Sequence, residues 1–312
     1  MEPAPPSTAA PLRGVRVVST AVNLPGPLAA SRLAALGASV TKVEPPSGDP
    51  LEHIAKVWYD ELVVGQTVTV ADLKDESGRA ALDELLTGAD LLITATRTAA
   101  LDRLGLGWDV LHARHPRLCQ VAVVGHPAPL DNLAGHDLTY QAAHGTLSPP
   151  ALPRVLVADL SGSERAVSEG LAALVLRAST GVGSRREVAL SSAAESMAAP
   201  IRHGLTTPDG PLGGALAAYG IYAAAEGHVA VAALEPHFRD RLLGLLEVGG
   251  SRAELAAVFA TRTAGEWQEW ARAHDVPLVA VAGPSQGRDR ATQRLACDPG
   301  AGGEDSGGTM GP

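Results

Sequence analysis

The chain has 312 residues, a formal net charge of −9, and 46% hydrophobic but only 3% aromatic residues. It can bury a sizeable core divided over two lobes, and its wealth of Ala, Leu, Val and Gly suits helix-on-sheet packing rather than an all-β sandwich. The acidic balance and the lack of Lys/Arg blocks exclude a nucleic-acid footprint, and the two cysteines, Cys119 and Cys297, without metal-ligand spacing, fit a reduced compartment.

The N-terminal MEPAPPSTAAPLRG has no basic start followed by an apolar stretch. No uncharged apolar run reaches the roughly 18 residues a membrane span needs, so neither export nor a span is expected, and a cytoplasmic setting is. Residues 1–10 are read as a flexible N-terminus. An apolar run over 15–19, a turn-rich Asn23-Leu24-Pro25-Gly26-Pro27, a helical 28–36 closed by Gly37 and a second apolar run over 39–44 make a strand-helix-strand unit. The alternation continues with strand 67–70, helix 78–86, strand 91–95, a helix around 108–112 and strand 118–124. Such alternation with short connections predicts a parallel, doubly wound α/β sheet in a large domain over 11–203, binding ligands beyond the carboxyl ends of its strands.

Next come a helical 136–144, a Pro-rich turn at 148–153 and an expected strand over 154–158. Val167, Leu171, Leu174 and Val175 then recur at helical spacing, which predicts a long amphipathic helix with Asp159 at the strand-helix junction. The Gly/Pro/Thr-rich 204–214 reads as a linker into a smaller α/β domain over 215–285. That domain opens with a hairpin of 219–222 and 228–234, and helices are expected near 236–246 and 264–273. Few aromatics are expected in its core, which argues for self-association. The Gly-rich 286–312 has too few apolar side chains to offset its ordering entropy and is expected to be a disordered tail.

Three ionisable residues stand out by position. Asp159 immediately precedes Leu160-Ser161-Gly162-Ser163, where a carboxylate would sit at the sheet's carboxyl edge held ionised by helix-start N–H groups; position alone favours the plainer reading of a helix N-cap. His136 lies between Gly135 and Asp137, and Asp137 could cap the helix that follows. Glu235 precedes Pro236, which suits a helix start. Cys119 sits in an apolar run without a nucleophile motif and reads as a buried apolar residue.

The segments PLRGVRVVST, Pro25-Gly26-Pro27 and LAALGASVTKVEPPSGDP (33–50) resemble the opening signature of the class III CoA-transferase superfamily. DLK (72–74), ADLLI (89–93), LDRLGLG (101–107), HPRL (115–118), GHDLTY (135–140), VADLSG (157–162) and LEPHF (234–238) follow in the family's order, while the GxGxxG of a generic dinucleotide domain is absent. The GHD with Tyr140 resembles the α-methylacyl-CoA racemase branch. The resemblance implies a Rossmann-like large domain, Asp159 and His136 as catalytic groups, and Glu235 as the partner that orients His136. It also implies that Lys74 and Arg103, and more weakly Arg97 and Lys42, meet the phosphates of CoA, with main-chain groups around Asn23 close to the ligand. It further implies a homodimer, no metal and no tightly bound cofactor, CoA being part of the substrate.

The expected function is epimerisation of a 2-methylacyl-CoA thioester by 1,1-proton transfer. Two alternatives stay open: a CoA transferase forming a covalent aspartyl intermediate at Asp159, and a non-catalytic CoA-thioester-binding relative.

Overall fold

The computed structural model describes residues 10–283, so the disordered tail expected over 286–312, the first nine residues and Cys297 lie outside the described residues. The chain divides into two compact units between Arg202 and His203.

In the first unit six strands, β1 (Arg16–Ser19), β2 (Ser39–Glu44), β3 (Thr67–Val70), β4 (Leu91–Thr94), β5 (Cys119–Val124) and β6 (Arg185–Ala189), form one sheet in the order β3-β2-β1-β4-β5-β6. Every pairing is parallel. Parallel strands need crossovers, which α1 (Pro25–Ala35), α2 (Pro50–Ile54), α3 (Lys56–Val63), α4 (Glu76–Thr87), α5 (Thr98–Arg103), α6 (Trp108–Arg114), α7 (Asp137–Ala143) and α8 (Val157–Thr180) supply. The two-residue period of each strand sends alternate side chains to opposite faces. Val17, Leu91, Ile93, Val121 and Val123 pack with Ala29, Leu33 and Ala166 of α1 and α8, whereas Val18, Val43 and Leu92 pack with Leu82, Leu86 and Leu111 of α4 and α6. The chain winds outward from β1 to β3 and then lays β4 on the other side of β1. The strand order therefore reverses between β1 and β4, the switch point at which doubly wound sheets open a crevice.

Two local expectations are corrected. The Pro25-Gly26-Pro27 segment is the first turn of α1 rather than a separate turn, because Pro25 supplies a helix-compatible φ where no N–H is needed. Gly26 is required there: a Cβ on it would lie 2.2 Å from that of Ala21, so only glycine lets the helix start press against the loop leaving β1.

The strand expected over 154–158 does not form; Val157 and Ala158 already belong to α8, whose third residue is Asp159. The exposed Leu152, Val155 and Leu156 have no sheet face to cover them, while the first amides of α8 are taken by Asp137. Conversely, β6 was not anticipated, since RREVA buries only its last two side chains.

After α9 (Leu190–Met197) and α10 (Ala199–Arg202), the second unit builds an antiparallel sheet of β7 (Tyr219–Ala223), β8 (His228–Ala232) and β9 (Leu278–Ala280). Its helices are α11 (Pro236–Leu246), α12 (Arg252–Phe259) and α13 (Ala264–His274). Tyr222, Phe259 and Trp267 are fully buried at its centre, with Phe238 and Trp270 packed against them. Phe259 and Trp267 meet edge to face at a ring separation of 5.2 Å, and Trp267 donates its indole N–H to the Phe259 carbonyl at 2.8 Å. The expectation that this unit lacks an aromatic core is therefore overturned, and with it the packing argument for self-association.

Candidate active site

At the switch point the carboxyl ends of β1, β4 and β5 and the N-terminus of α9 enclose a cavity of about 260 Å³. Val22 and Asn23 line it from the β1 side, Ala95 and Arg97 from beyond β4, and Val123 to Gly125 from the end of β5; Asp131, His136, Tyr140, Asp159 and Leu190 are also part of its lining. A larger cavity of about 650 Å³ lies over β1, β2 and β3 beside α4, and its lining contains none of the expected site residues.

Asp159 owes its place to α8. The buried carboxylate of Asp137 accepts from the Ala158 and Asp159 amides at 2.7 and 3.1 Å, while Gln141 donates to its other oxygen at 2.5 Å. Asp137 thus caps the helix that carries Asp159, besides being the first residue of α7. Burial, and secondly the like charge of Asp137, push the Asp159 carboxyl up from 3.8 to about 6. Sequence reasoning missed this role because 22 residues separate the two partners.

His136 occupies the N-cap of α7, exposed toward solvent and lining the cavity. Thr139 locks this turn: its hydroxyl donates to the His136 carbonyl at 2.8 Å and accepts from the His136 amide at 3.1 Å. One turn further on, Tyr140 is buried against His126, with ring centroids 5.2 Å apart in an edge arrangement. A Cβ at Gly125 or Gly135 would fall within 2.4 or 2.5 Å of the Tyr140 side chain, so both glycines are the space this ring occupies. Burial and, next, the neighbouring Asp159 charge raise the Tyr140 phenol above its ordinary value, so it stays a neutral donor across the physiological range.

Four of the residues singled out by sequence, Asn23, Arg97, His136 and Asp159, therefore line one cavity. Lys74 and Arg103 do not. Lys74 is exposed in the turn after β3, and Arg103 is exposed at the end of α5. Lys42 is corrected as a phosphate contact: it is 1% exposed and its ammonium is held by Glu44 and Asp49, so it presents no charge to a ligand. Glu235 belongs to the second unit, exposed at the N-cap of α11, where its carbonyl accepts from Phe238 and Arg239.

The fold is that of a doubly wound α/β protein with a cavity at its switch point. The chain belongs to CoA-transferase family III, whose family pattern matches residues 12–296. It is 29% identical over 197 residues to a formyl-CoA:oxalate CoA-transferase of Streptomyces avermitilis, covering 58% of this chain and 48% of the relative. With the human α-methylacyl-CoA racemase it shares 28% over 288 residues, covering 82% of this chain and 74% of the relative. The crystal structure of a hypothetical protein from Mycobacterium tuberculosis has the same fold, with a TM-score of 0.77 at 24% identity over 92% of this chain and 88% of that one. Against the transferases it matches, the chain spans about half of their length, 48% and 52% in two cases. Among the described residues no helix is long and apolar enough to cross a membrane.

Proposed function

We propose that this chain acts on an acyl-CoA thioester and interconverts the epimers of a 2-methylacyl-CoA by 1,1-proton transfer. The observation that carries this is that His136 and Asp159 line the same cavity while Asp159 titrates near 6. A general acid/base is most effective when its pKa lies near the working pH, so a carboxyl at about 6 can both take and return a proton. A plain nucleophile gains nothing from being partly protonated.

In this reading one of the two groups removes the proton α to the thioester carbonyl, and the C–H electrons move onto the carbonyl oxygen as an enolate. The other group, protonated and on the opposite face, delivers its proton to the α-carbon, and the electrons return to rebuild the carbonyl. The enolate oxygen needs preorganised donors, and in this reading the neutral Tyr140 phenol and the Arg97 guanidinium, both in the cavity lining, supply them. CoA is part of the substrate and no other cofactor enters. Arg97, with Lys74 and Arg103 further out, meets its phosphates by charge-assisted hydrogen bonds. The active form is a homodimer, which light scattering tests directly.

The second reading is CoA transfer, supported by the transferases among the relatives at 29% and 31% identity. There the Asp159 carboxylate attacks the thioester carbonyl, the CoA thiolate leaves, and a mixed anhydride forms. Incubation with 2-methylacyl-CoA in D₂O separates the two. Deuterium at the α-carbon supports proton transfer, whereas a hydroxamate formed on Asp159 with hydroxylamine, without α-exchange, supports transfer of CoA.

A further inference from the structure

The cation that proves unavailable to a ligand anchors something else. Strand β2 reads Ser-Val-Thr-Lys-Val-Glu, and its two-residue period puts Val40, Lys42 and Glu44 on one face. That face is buried, and α2 with the loop before it brings a second carboxylate: Asp49 is 0% exposed and accepts from the Lys42 ammonium at 2.7 Å. Glu44 accepts from Lys42 and, at 2.8 Å, from the Tyr59 hydroxyl. Burial first, and then this bond, raise the Tyr59 phenol well above its ordinary value, so it remains a donor.

The other oxygen of Asp49 does two things at once. It accepts from the Leu51 amide at 2.9 Å, which is the N-cap of α2, and from the Asn23 amide at 2.9 Å, 26 residues earlier in the chain. Asn23 has φ +68°, a left-handed conformation that residues with a Cβ rarely adopt, and it lines the cavity together with Val22 and Pro25. A cap alone needs neither the buried lysine nor the remote amide.

We propose that Asp49 is a positioning residue of this site: its carboxylate, held by Lys42, fixes the left-handed backbone of Asn23 and thereby the wall formed by Val22, Asn23 and Pro25. This rests on the reading of the cavity as the thioester site. Asp49 touches no substrate and acts through the loop.

The test measures amide hydrogen exchange over residues 22–24 and CoA affinity by calorimetry in Asp49→Asn. The asparagine turns an amide N–H₂ toward the Lys42 ammonium or toward the two backbone donors, so one set of bonds is lost whichever way it lies. Exchange at residues 22–24 is expected to rise by about tenfold or more and CoA to bind about tenfold more weakly. Should this variant not fold, Asp49→Ser keeps a cap for α2 and leaves Lys42 with Glu44, and the same two changes are expected of it.

Asn23→Ala and Asn23→Gly form a second pair, since both lose the side chain but only glycine accepts the left-handed backbone freely; the alanine variant should bind CoA about fivefold or more weakly than the glycine one. Unchanged exchange in a folded Asp49 variant overturns the proposal. So does faster exchange with unchanged CoA affinity, which leaves Asp49 a structural residue only. If the wild-type protein binds no CoA, the thioester reading fails instead, and the exchange measurement alone decides whether Asp49 holds the loop.

Discussion

Replacing Asp159 by Asn should make the protein more stable at neutral pH while abolishing epimer interconversion. The Asp159 carboxyl is pushed from 3.8 to about 6, chiefly because burial disfavours its charged form. Below pH 3.8 it is protonated in both the folded and unfolded chains and costs nothing. Between 3.8 and about 6 the unfolded chain has released the proton while the folded one still binds it, so stability falls as pH rises through that window. Above about 6 the folded protein carries the full cost of a buried carboxylate.

At about 1.4 kcal/mol per pH unit this cost is on the order of 3 kcal/mol, and partial contact with solvent in the cavity reduces it to roughly 1–3 kcal/mol. Asparagine keeps the shape and never ionises. Urea unfolding of wild type and Asp159→Asn at pH 8 should therefore show the variant more stable by that amount, with the difference shrinking steadily between about pH 6 and pH 4. A variant that is no more stable at pH 8, or a gain that does not change with pH, would refute a desolvated carboxyl at this position.

Asp137→Asn removes the like charge beside Asp159 and turns an N–H₂ either toward the α8 amides or toward Gln141, so one set of hydrogen bonds is lost. It should lower stability by about 2–3 kcal/mol in denaturant titration and move the acid limb of the α-proton exchange profile to lower pH. Arg97→Ala and Arg103→Ala should each weaken CoA binding about tenfold or more by calorimetry, since a hydrogen bond between charged groups contributes roughly 1.5–3 kcal/mol; unchanged affinity removes that arginine from the site. Gly135→Ala places a Cβ 2.5 Å from the Tyr140 ring and should displace it, seen as a loss of exchange activity larger than the loss of folded-state stability.

The large unit was legible because its strands are short apolar runs separated by helices of the right length, and β1, β2, β4 and β5 fall within a residue of their expected bounds. Where polar residues form a strand the signal fails, as in β6, an edge strand that needs only Val188 and Ala189 buried. The β-branched Val155 and Val157 mimicked a strand at the start of α8, and only the three-dimensional arrival of Asp137 reveals a helix cap there. The resemblance and the carboxyl-edge rule picked out Asn23, Arg97, His136 and Asp159, which one cavity gathers. Lys42 was misjudged although its fate was partly readable: Glu44 two residues on shares its face, whereas Asp49 reaches it only through the fold. The aromatic core of the second unit went unseen because a low overall aromatic fraction hid its concentration in one segment.

The central claim, that His136 and Asp159 act on opposite faces of one α-carbon, is tested most directly by following each epimer of a 2-methylacyl-CoA separately in D₂O by NMR. Wild type should exchange the α-proton of both epimers and interconvert them. His136→Ala and Asp159→Asn should both lose interconversion, and each should retain exchange only for the epimer whose proton faces its surviving base. Full interconversion by His136→Ala, or loss of exchange for the same epimer in both variants, contradicts a two-base site.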